Sequence, residues 1–162
     1  MRVKLSADEI ECANAVAIVR RDTAGGGTKN NYIETTLEQR LENDKRACRA
    51  EIAVARMLNL YWTGCGKNKD CKADVGDCVE VRQVSDSHRG LRLGMTDLAR
   101  PGTPFALAQV EDDYVTFVGW EFVEDGIKSR PDLGGYVIVP RKQLRHLDEL
   151  KAYVLEYLWS TN

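Results

Sequence analysis

The sequence predicts a mixed α/β protein in which a central mixed sheet is flanked by helices. Residues 33–60 have helical periodicity and contain no Gly or Pro, and shorter runs with strand-like composition follow them. The runs 105–110 and 114–122 are joined by three acidic residues, 111–113, and predict a hairpin. An amphipathic segment over about 144–159 predicts a last helix. Helices before and after a group of strands favour a sheet that is covered by helices.

Length and composition favour one domain with a core of its own. The chain has 162 residues, and a chain of that length removes about 70% of its unfolded surface from water. Its 43% hydrophobic and 30% charged residues exclude collagen-like, disordered and low-complexity classes. No apolar run approaches the ~20 residues of a membrane helix, and the first residues lack the apolar region of a signal peptide. We therefore expect a cytoplasmic protein without a membrane partner.

The N-terminal segment predicts an accessory helix. Ser6 and Glu9 have the spacing of a capping box, in which each side chain accepts the backbone N–H of the other residue. Three consecutive glycines at 25–27 then favour a flexible connector over a helix. We divide the chain into this helix with its Gly-rich connector, residues 1–30, and a main domain over residues 31–162.

The five cysteines do not predict a disulfide framework, since their number is odd and the expected compartment is reducing. Cys65, Cys71 and Cys78 lie close together, but they lack the Cys-x2-Cys pairs of common zinc sites and no His follows at a useful distance. Reduced cysteines are the favoured interpretation. The alternative is a small zinc-stabilised module in which these three side chains converge.

Glu51 is out of place in the long helical segment. It follows Cys48 by three residues and precedes Ala55 by four, so it projects from the edge of the apolar face. A carboxylate that is buried without a partner is costly. Three interpretations remain open: the carboxylate reaches water, pairs with an arginine, or lies beside a metal ion.

Two further carboxylates flank a turn. Asp74 precedes and Glu80 follows the turn sequence at 76–78. A three-residue loop places Asp74 opposite Glu80, whereas a two-residue loop would place it opposite Val79. We predict the three-residue loop, which puts both carboxylates on one face. Arg82 shares that face with Glu80 because the two residues are two positions apart on one strand.

The order of these elements resembles the PD-(D/E)XK nuclease superfamily. A helix with an inward Glu51 precedes a strand with Asp74, and a strand with Glu80 and Arg82 in Glu-x-Arg spacing follows. Segments over much of residues 45–150 are similar to small, often phage-encoded members: 50–58, 73–76, 79–82, 118–120 and 136–140. The resemblance implies an αβββαβ restriction-endonuclease-like core, and therefore a nuclease-like domain over residues 31–162.

The same resemblance implies a metal site. Asp74 and Glu80 would be direct carboxylate ligands of Mg²⁺ or Mn²⁺, Glu51 an indirect or second-site carboxylate, and the Val81 carbonyl a further ligand. Such an ion neutralises phosphate charge and generates hydroxide from water. The position that usually holds Lys holds Arg82. An arginine stays charged, so it can bind the phosphate and stabilise developing charge, but it is a poor general base.

The expected function is a divalent-metal-dependent DNA nuclease that hydrolyses phosphodiester bonds. The alternative is a catalytically impaired, nuclease-fold DNA-binding or phage-associated interaction protein, in which Arg82 has replaced the catalytic lysine. The net charge of -2 excludes a wholly basic surface but allows a local basic groove. Many nucleases of this fold dimerise, so a homodimer is a further expectation, and a phage-encoded protein would work in the host cytoplasm.

Basic residues near two predicted strand ends are the candidates for phosphate contacts, and a solvated charged face is the alternative. These candidates are His88, Arg89, Arg92, Arg141 and Lys142. The three tryptophans are expected to be core residues rather than platforms for stacked bases. They are Trp62, Trp120 and Trp159.

Overall fold

The structure is a computed structural model that describes residues 1–23, 36–64, 73–128 and 135–161. The described chain is mixed α/β, with a four-stranded mixed sheet, a two-stranded ribbon and four helices. The elements in chain order are β1 (Arg2–Lys4), α1 (Ala7–Thr23), α2 (Leu37–Leu58), β2 (Glu80–Val84), β3 (Leu91–Gly94), β4 (Pro104–Glu111), β5 (Tyr114–Phe122), α3 (Val123–Lys128), β6 (Tyr136–Val139) and α4 (Leu147–Ser160). Short 3₁₀ helices occupy Met95–Ala99 and Arg141–Gln143.

The four-stranded sheet has the order β1-β5-β4-β2. β4 and β5 form the predicted antiparallel hairpin, with Glu111 opposite Tyr114 across the turn. β1 adds to the far side of β5 in antiparallel orientation, while β2 lies parallel to β4 at the opposite edge. The sequence analysis did not identify β1, a three-residue strand that is too short for its alternation to stand out.

Each of the first two helices begins at a capping box; the sequence analysis predicted the first, but it expected the second helix from residue 33, and α2 begins at Leu37. At α1, the Glu9 N–H donates to Ser6 Oγ at 3.2 Å and the Ser6 N–H donates to Glu9 Oε2 at 2.7 Å. A second capping box starts α2, where Thr36 and Gln39 bond each other reciprocally. Ala13 of α1 is fully buried in the same apolar cluster as α2. The accessory helix therefore contributes to the core of the main domain.

The sheet separates two apolar clusters. Val79 and Val81 pack with α2 on one side, whereas Phe105 and Leu107 pack with β3 and β6 on the other. Because side chains alternate along a strand, Glu80 and Arg82 of β2 point away from α2. The edge of β2 thus lies between the helical layer and the β3–β6 ribbon.

One of the three tryptophan predictions needs correction. Trp120 is buried and Trp62 packs, partly buried, against the apolar cluster, but Trp159 is 85% exposed. Trp159 lies on the last turn of α4, about 140° around the helix from the buried Val154, so it faces solvent.

Among the described helices, none has the length and apolar composition that a bilayer crossing requires.

We predict that Gly90 is required for the pairing of β3 with β6. A Cβ atom at Gly90 would lie 2.2 Å from the carbonyl oxygen of Val139, whereas a Cβ at Gly94 would find no atom nearer than 3.5 Å. Gly90→Ala should therefore lower the free energy of unfolding by about 1–3 kcal/mol, the usual cost of overpacking. Gly94→Ala is the matched control, because Gly94 has an extended backbone at φ -99°. Equal urea midpoints for the two variants would contradict this close approach.

Candidate functional site

The turn before β2 has the predicted three-residue loop. Val75 and Val79 form an antiparallel pair, in which each N–H donates to the carbonyl of the other residue at 3.0 Å. Gly76 and Asp77 turn the chain with φ values of 55° and 56°. In this register, the next opposed pair is Asp74 and Glu80. The prediction of the three-residue loop is therefore confirmed.

Asp74 bends onto the free edge of β2. Its Oδ2 atom accepts the Val81 N–H at 2.9 Å, and the described residues donate no other hydrogen bond to this carboxylate. The N–H and C=O of one strand residue point to the same side of the strand. The Val81 carbonyl therefore points to the same edge as Asp74, away from β4. This backbone oxygen is the one that the resemblance assigns as a ligand.

Glu51 binds an arginine of α1. Arg20 Nη1 and Nη2 donate to the two Glu51 oxygens at 2.8 and 2.6 Å, and Trp62 Nε1 donates to Oε2 at 2.7 Å. Glu51 is only 4% exposed, and burial raises the pKa of its carboxyl, while the bonds from Arg20 and Trp62 act against that rise. The arginine interpretation of Glu51 is therefore the one that the structure shows.

Glu80 is held on the other side of β2. It is 5% exposed and pairs with Arg100 Nη1 and, at 3.6 Å, with Arg82 Nη1. Arg82 also donates from Nη2 to Asp97 Oδ1 at 2.9 Å, and its guanidinium lies 5.1 Å from the centre of the Phe105 ring. The sequence analysis missed Arg100, which is 20 residues from Glu80 and belongs to no recognisable motif.

Asp74 lies between these two groups of ion pairs. Burial raises the pKa of its carboxyl, while the Val81 N–H and the positive charges of Arg20, Arg82 and Arg100 act against that rise. Asp74 in turn contributes to the raised pKa of Glu51. The Asp74 carboxylate therefore interacts electrostatically with that of Glu51.

The sequence analysis expected three carboxylates near one metal ion, and this arrangement does not bring the three together. Within the four described ranges, no group of three or more His, Cys, Asp or Glu side chains could hold a metal ion. Glu51 and Glu80 lie on opposite faces of β2, and arginines bind the oxygens of both. Asp74, the Val81 carbonyl and Glu80 are hard oxygen donors that fit Mg²⁺ or Mn²⁺. Glu51 fits only the indirect role.

Four of the five predicted DNA contacts have exposed side chains: His88, Arg89, Arg92 and Lys142. Arg141 instead binds within the protein. Its guanidinium donates to the carbonyls of Asp86 and Arg89 at 2.7 and 2.9 Å and to Gln109 Oε1 at 2.8 Å. These bonds fix the loop that presents His88 and Arg89.

The cysteine alternative is tested only in part. Cys78 is a buried free thiol, and burial raises the pKa of its thiol to about 11. Cys65 and Cys71 lie outside the described residues.

Comparison with known proteins adds no relative to this description. No family model, curated protein or solved structure matches the chain. The structure itself establishes a mixed α/β class with a four-stranded mixed sheet. The restriction-endonuclease-like core and the nuclease activity remain predictions.

We predict that loss of Arg20 strongly destabilises the protein. Arg20→Gln would leave the buried Glu51 carboxylate without its cation, which typically costs about 3–5 kcal/mol. The variant Arg21→Gln is the control, because Arg21 pairs with the exposed Asp44 and such pairs contribute about 1 kcal/mol or less. Chemical denaturation at pH 7.5 measures the difference, and equal losses in both variants would contradict the assigned role of Arg20.

The loss in Arg20→Gln should also depend on pH. The raised pKa of Glu51 means that folding takes up a proton between the unfolded value, about 4.3, and the folded value. Stability of the variant should therefore rise as pH falls through this window, since protonation removes the unpaired charge. The double variant Arg20→Gln/Glu51→Gln should lose this pH dependence.

Proposed function

We propose that this protein is a divalent-metal-dependent DNA nuclease with a PD-(D/E)XK-type core and its reaction site at the free edge of β2. The observation that carries the proposal is the position of Asp74. It lies opposite Glu80 in the hairpin, interacts electrostatically with Glu51, and is bonded to the backbone of Val81. A helix, a turn and a strand thus contribute acidic residues in the order that the superfamily uses, with Asp74 at the edge of β2 between the ion pairs of Glu51 and Glu80.

The charge balance at this edge favours a bound cation. Four carboxylates face three guanidinium groups: Glu51, Asp74, Glu80 and Asp97 against Arg20, Arg82 and Arg100. Among the described residues, these groups carry one more negative than positive charge when all of them are ionised. The raised pKa values of Glu51 and Asp74 show that ionisation is unfavourable here. A divalent cation beside Asp74 would remove that cost.

Asp74, Glu80 and the Val81 carbonyl would hold the ion, with Glu80 exchanging its contacts to Arg82 and Arg100 for the metal. Glu51 would act indirectly, through the Arg20 and Trp62 groups that bind its oxygens. When bound, Mg²⁺ or Mn²⁺ neutralises phosphate charge and lowers the pKa of a coordinated water. The Val81 N–H orients the Asp74 carboxylate for this role through its hydrogen bond to Oδ2.

Arg82 and Arg100 are the residues suited to the phosphate. Both side chains are partly exposed, so their guanidinium groups reach solvent while they contact the buried Glu80. A guanidinium binds two phosphate oxygens at once and stabilises the charge that develops on them. Because Arg82 stays protonated, it holds charge in the reaction and does not accept the proton of water.

A second candidate function is DNA binding without cleavage. The observation in its favour is that arginines already neutralise Glu51 and Glu80 without a metal ion. Arg82 also pairs with Asp97, so its guanidinium is engaged on two sides. This candidate predicts DNA binding that is independent of divalent ions and no cleavage under any metal condition.

We expect Asp74→Asn and Glu80→Gln to reduce Mn²⁺-dependent plasmid cleavage by about 100-fold or more, because each removes a metal-binding carboxylate. Asp77→Asn is the matched control. Asp77 lies on the same hairpin, but its carboxylate accepts the Tyr61 hydroxyl at 2.7 Å, so cleavage should be unchanged. Calorimetric titration with Mn²⁺ should show binding to wild type and to Asp77→Asn alone.

Equal residual cleavage in wild type, Asp74→Asn and Glu80→Gln would identify a contaminating nuclease and reject the proposal. Mn²⁺-independent DNA binding without cleavage would support the second candidate instead. Folding of each variant is checked by thermal unfolding.

The role of Arg82 is tested by comparing two substitutions. Arg82→Gln should reduce cleavage by about 100-fold, the usual cost of one donor that stabilises transition-state charge, with Mn²⁺ affinity little changed. Arg82→Lys keeps the charge and restores the residue type that is usual in the superfamily, so it should retain cleavage. If Gln and Lys reduce cleavage to the same extent, the positive charge of Arg82 has no part in the reaction.

A further inference from the structure

The β3–β6 ribbon has one buried and one exposed face. Leu91 and Leu93 pair with Val139 and Val137 on the buried face. The exposed face is formed by Arg92 opposite Ile138 and by Gly94 opposite Tyr136. We call these four residues the ribbon platform. Four strand residues span about 13 Å.

An aromatic ring and a cation share this platform. The Arg92 guanidinium lies 4.1 Å from the centre of the Tyr136 ring, and the two side chains are exposed. Tyr136 lies opposite Gly94, which has no side chain to cover its neighbour. Tyr136 remains 39% exposed and its neighbour Ile138 43% exposed. The platform thus offers an apolar surface beside a positive charge.

One end of the platform is basic. His88 and Arg89 precede β3 and Lys142 follows β6, and all three are exposed. Arg141 ties the two loops together through its bonds to the carbonyls of Asp86 and Arg89. Asp86 is the acidic residue that contacts Arg89, at 3.8 Å. The cations of this end are therefore held near one another.

The other end of the platform leads to the edge of β2. The Gly94 N–H donates to Asp97 Oδ2 at 2.8 Å, and Asp97 Oδ1 accepts from Arg82 at 2.9 Å. Arg82 in turn contacts Glu80 at 3.6 Å. Two residues, Asp97 and Arg82, thus connect the platform to the proposed reaction site. A ligand that lies along the ribbon would run from the basic loops toward Glu80.

We propose that the ribbon platform binds a single-stranded segment of DNA, with a base stacked on Tyr136 and phosphates beside Arg92 and the basic loops. The inference rests on the proposed function, since it names the form of DNA that this site receives. Stacking on an exposed ring requires an unpaired base, whereas the bases of a duplex are stacked on one another. Positive charge around the ring complements the phosphates that flank the base.

The test is the affinity for a fluorescein-labelled oligothymidylate of 15 nucleotides, measured by fluorescence anisotropy in EDTA so that no cleavage occurs. Tyr136→Ala should weaken binding about tenfold, as loss of one stacked base does. Tyr136→Phe should bind as wild type, because the ring is retained. Arg92→Gln should weaken binding and reduce its dependence on salt, since one phosphate contact is lost.

Tyr114→Ala is the matched control. Tyr114 is 38% exposed and lies 4.4 Å from the guanidinium of Arg2, but it belongs to β5, which pairs with β1 and β4 and not with the ribbon. Its removal should leave the affinity unchanged. Equal weakening by Tyr114→Ala and Tyr136→Ala, or no weakening by either, would overturn the inference. So would tighter binding of the matching duplex that is insensitive to Tyr136.

Failure of this inference and failure of the proposed function give different results. If Asp74→Asn abolishes cleavage and Tyr136→Ala does not weaken oligonucleotide binding, the reaction site stands and the platform is rejected. If Tyr136→Ala weakens binding but wild type shows no metal-dependent cleavage, the platform stands and the nuclease proposal is rejected.

Discussion

Two buried carboxylates, Glu51 on α2 and Glu80 on β2, impose the main electrostatic constraint on this protein. Glu51 and Glu80 are nearly inaccessible to water, so each needs a cation within hydrogen-bonding distance. Arg20 meets this need from α1, and Arg100 meets it from the chain after β3. The Arg20–Glu51 pair therefore joins α1 to α2, and the Arg100–Glu80 pair joins the chain after β3 to β2. Removing either cation would leave an uncompensated charge in the interior.

The same constraint explains how the site is organised. Alternation along β2 directs Glu80 to the face opposite α2, and Asp74 occupies the strand edge between the two ion pairs. Asp74 thus receives positive potential from both sides, while its own hydrogen bond comes from the backbone of Val81. This edge connects through Arg82 and Asp97 to the β3–β6 ribbon. The proposed reaction site and the ribbon are thus linked by two hydrogen bonds to the Asp97 carboxylate.

Local sequence patterns predicted much of the fold. Capping residues located the start of α1, and the acidic turn 111–113 located the β4–β5 hairpin. Turn chemistry predicted the register that opposes Asp74 to Glu80. The periodicity of α2 identified Glu51 as an anomaly but left three explanations open. Each correct prediction depends on residues that are close in sequence, where chain geometry leaves few alternatives.

Long-range pairings were not predictable in this way. Glu51 bonds Arg20 across 31 residues and Glu80 bonds Arg100 across 20, and many arginines of the chain could have filled either role. Two further features also depend on contacts with parts of the chain that are distant in sequence. They are the pairing of the three-residue strand β1 with β5 and the exposure of Trp159.

The amino-acid sequence alone determined α1, α2, α4, the β4–β5 hairpin and the alternation that puts Glu80 and Arg82 on one face, because these follow from backbone geometry over a few residues. The tertiary structure alone decided which cation neutralises each buried carboxylate. It also decided that Glu51 and Glu80 lie on opposite sides of β2. The physical reason is that charge pairing in the interior depends on distances set by packing of the whole chain, and such distances leave no local pattern in the sequence.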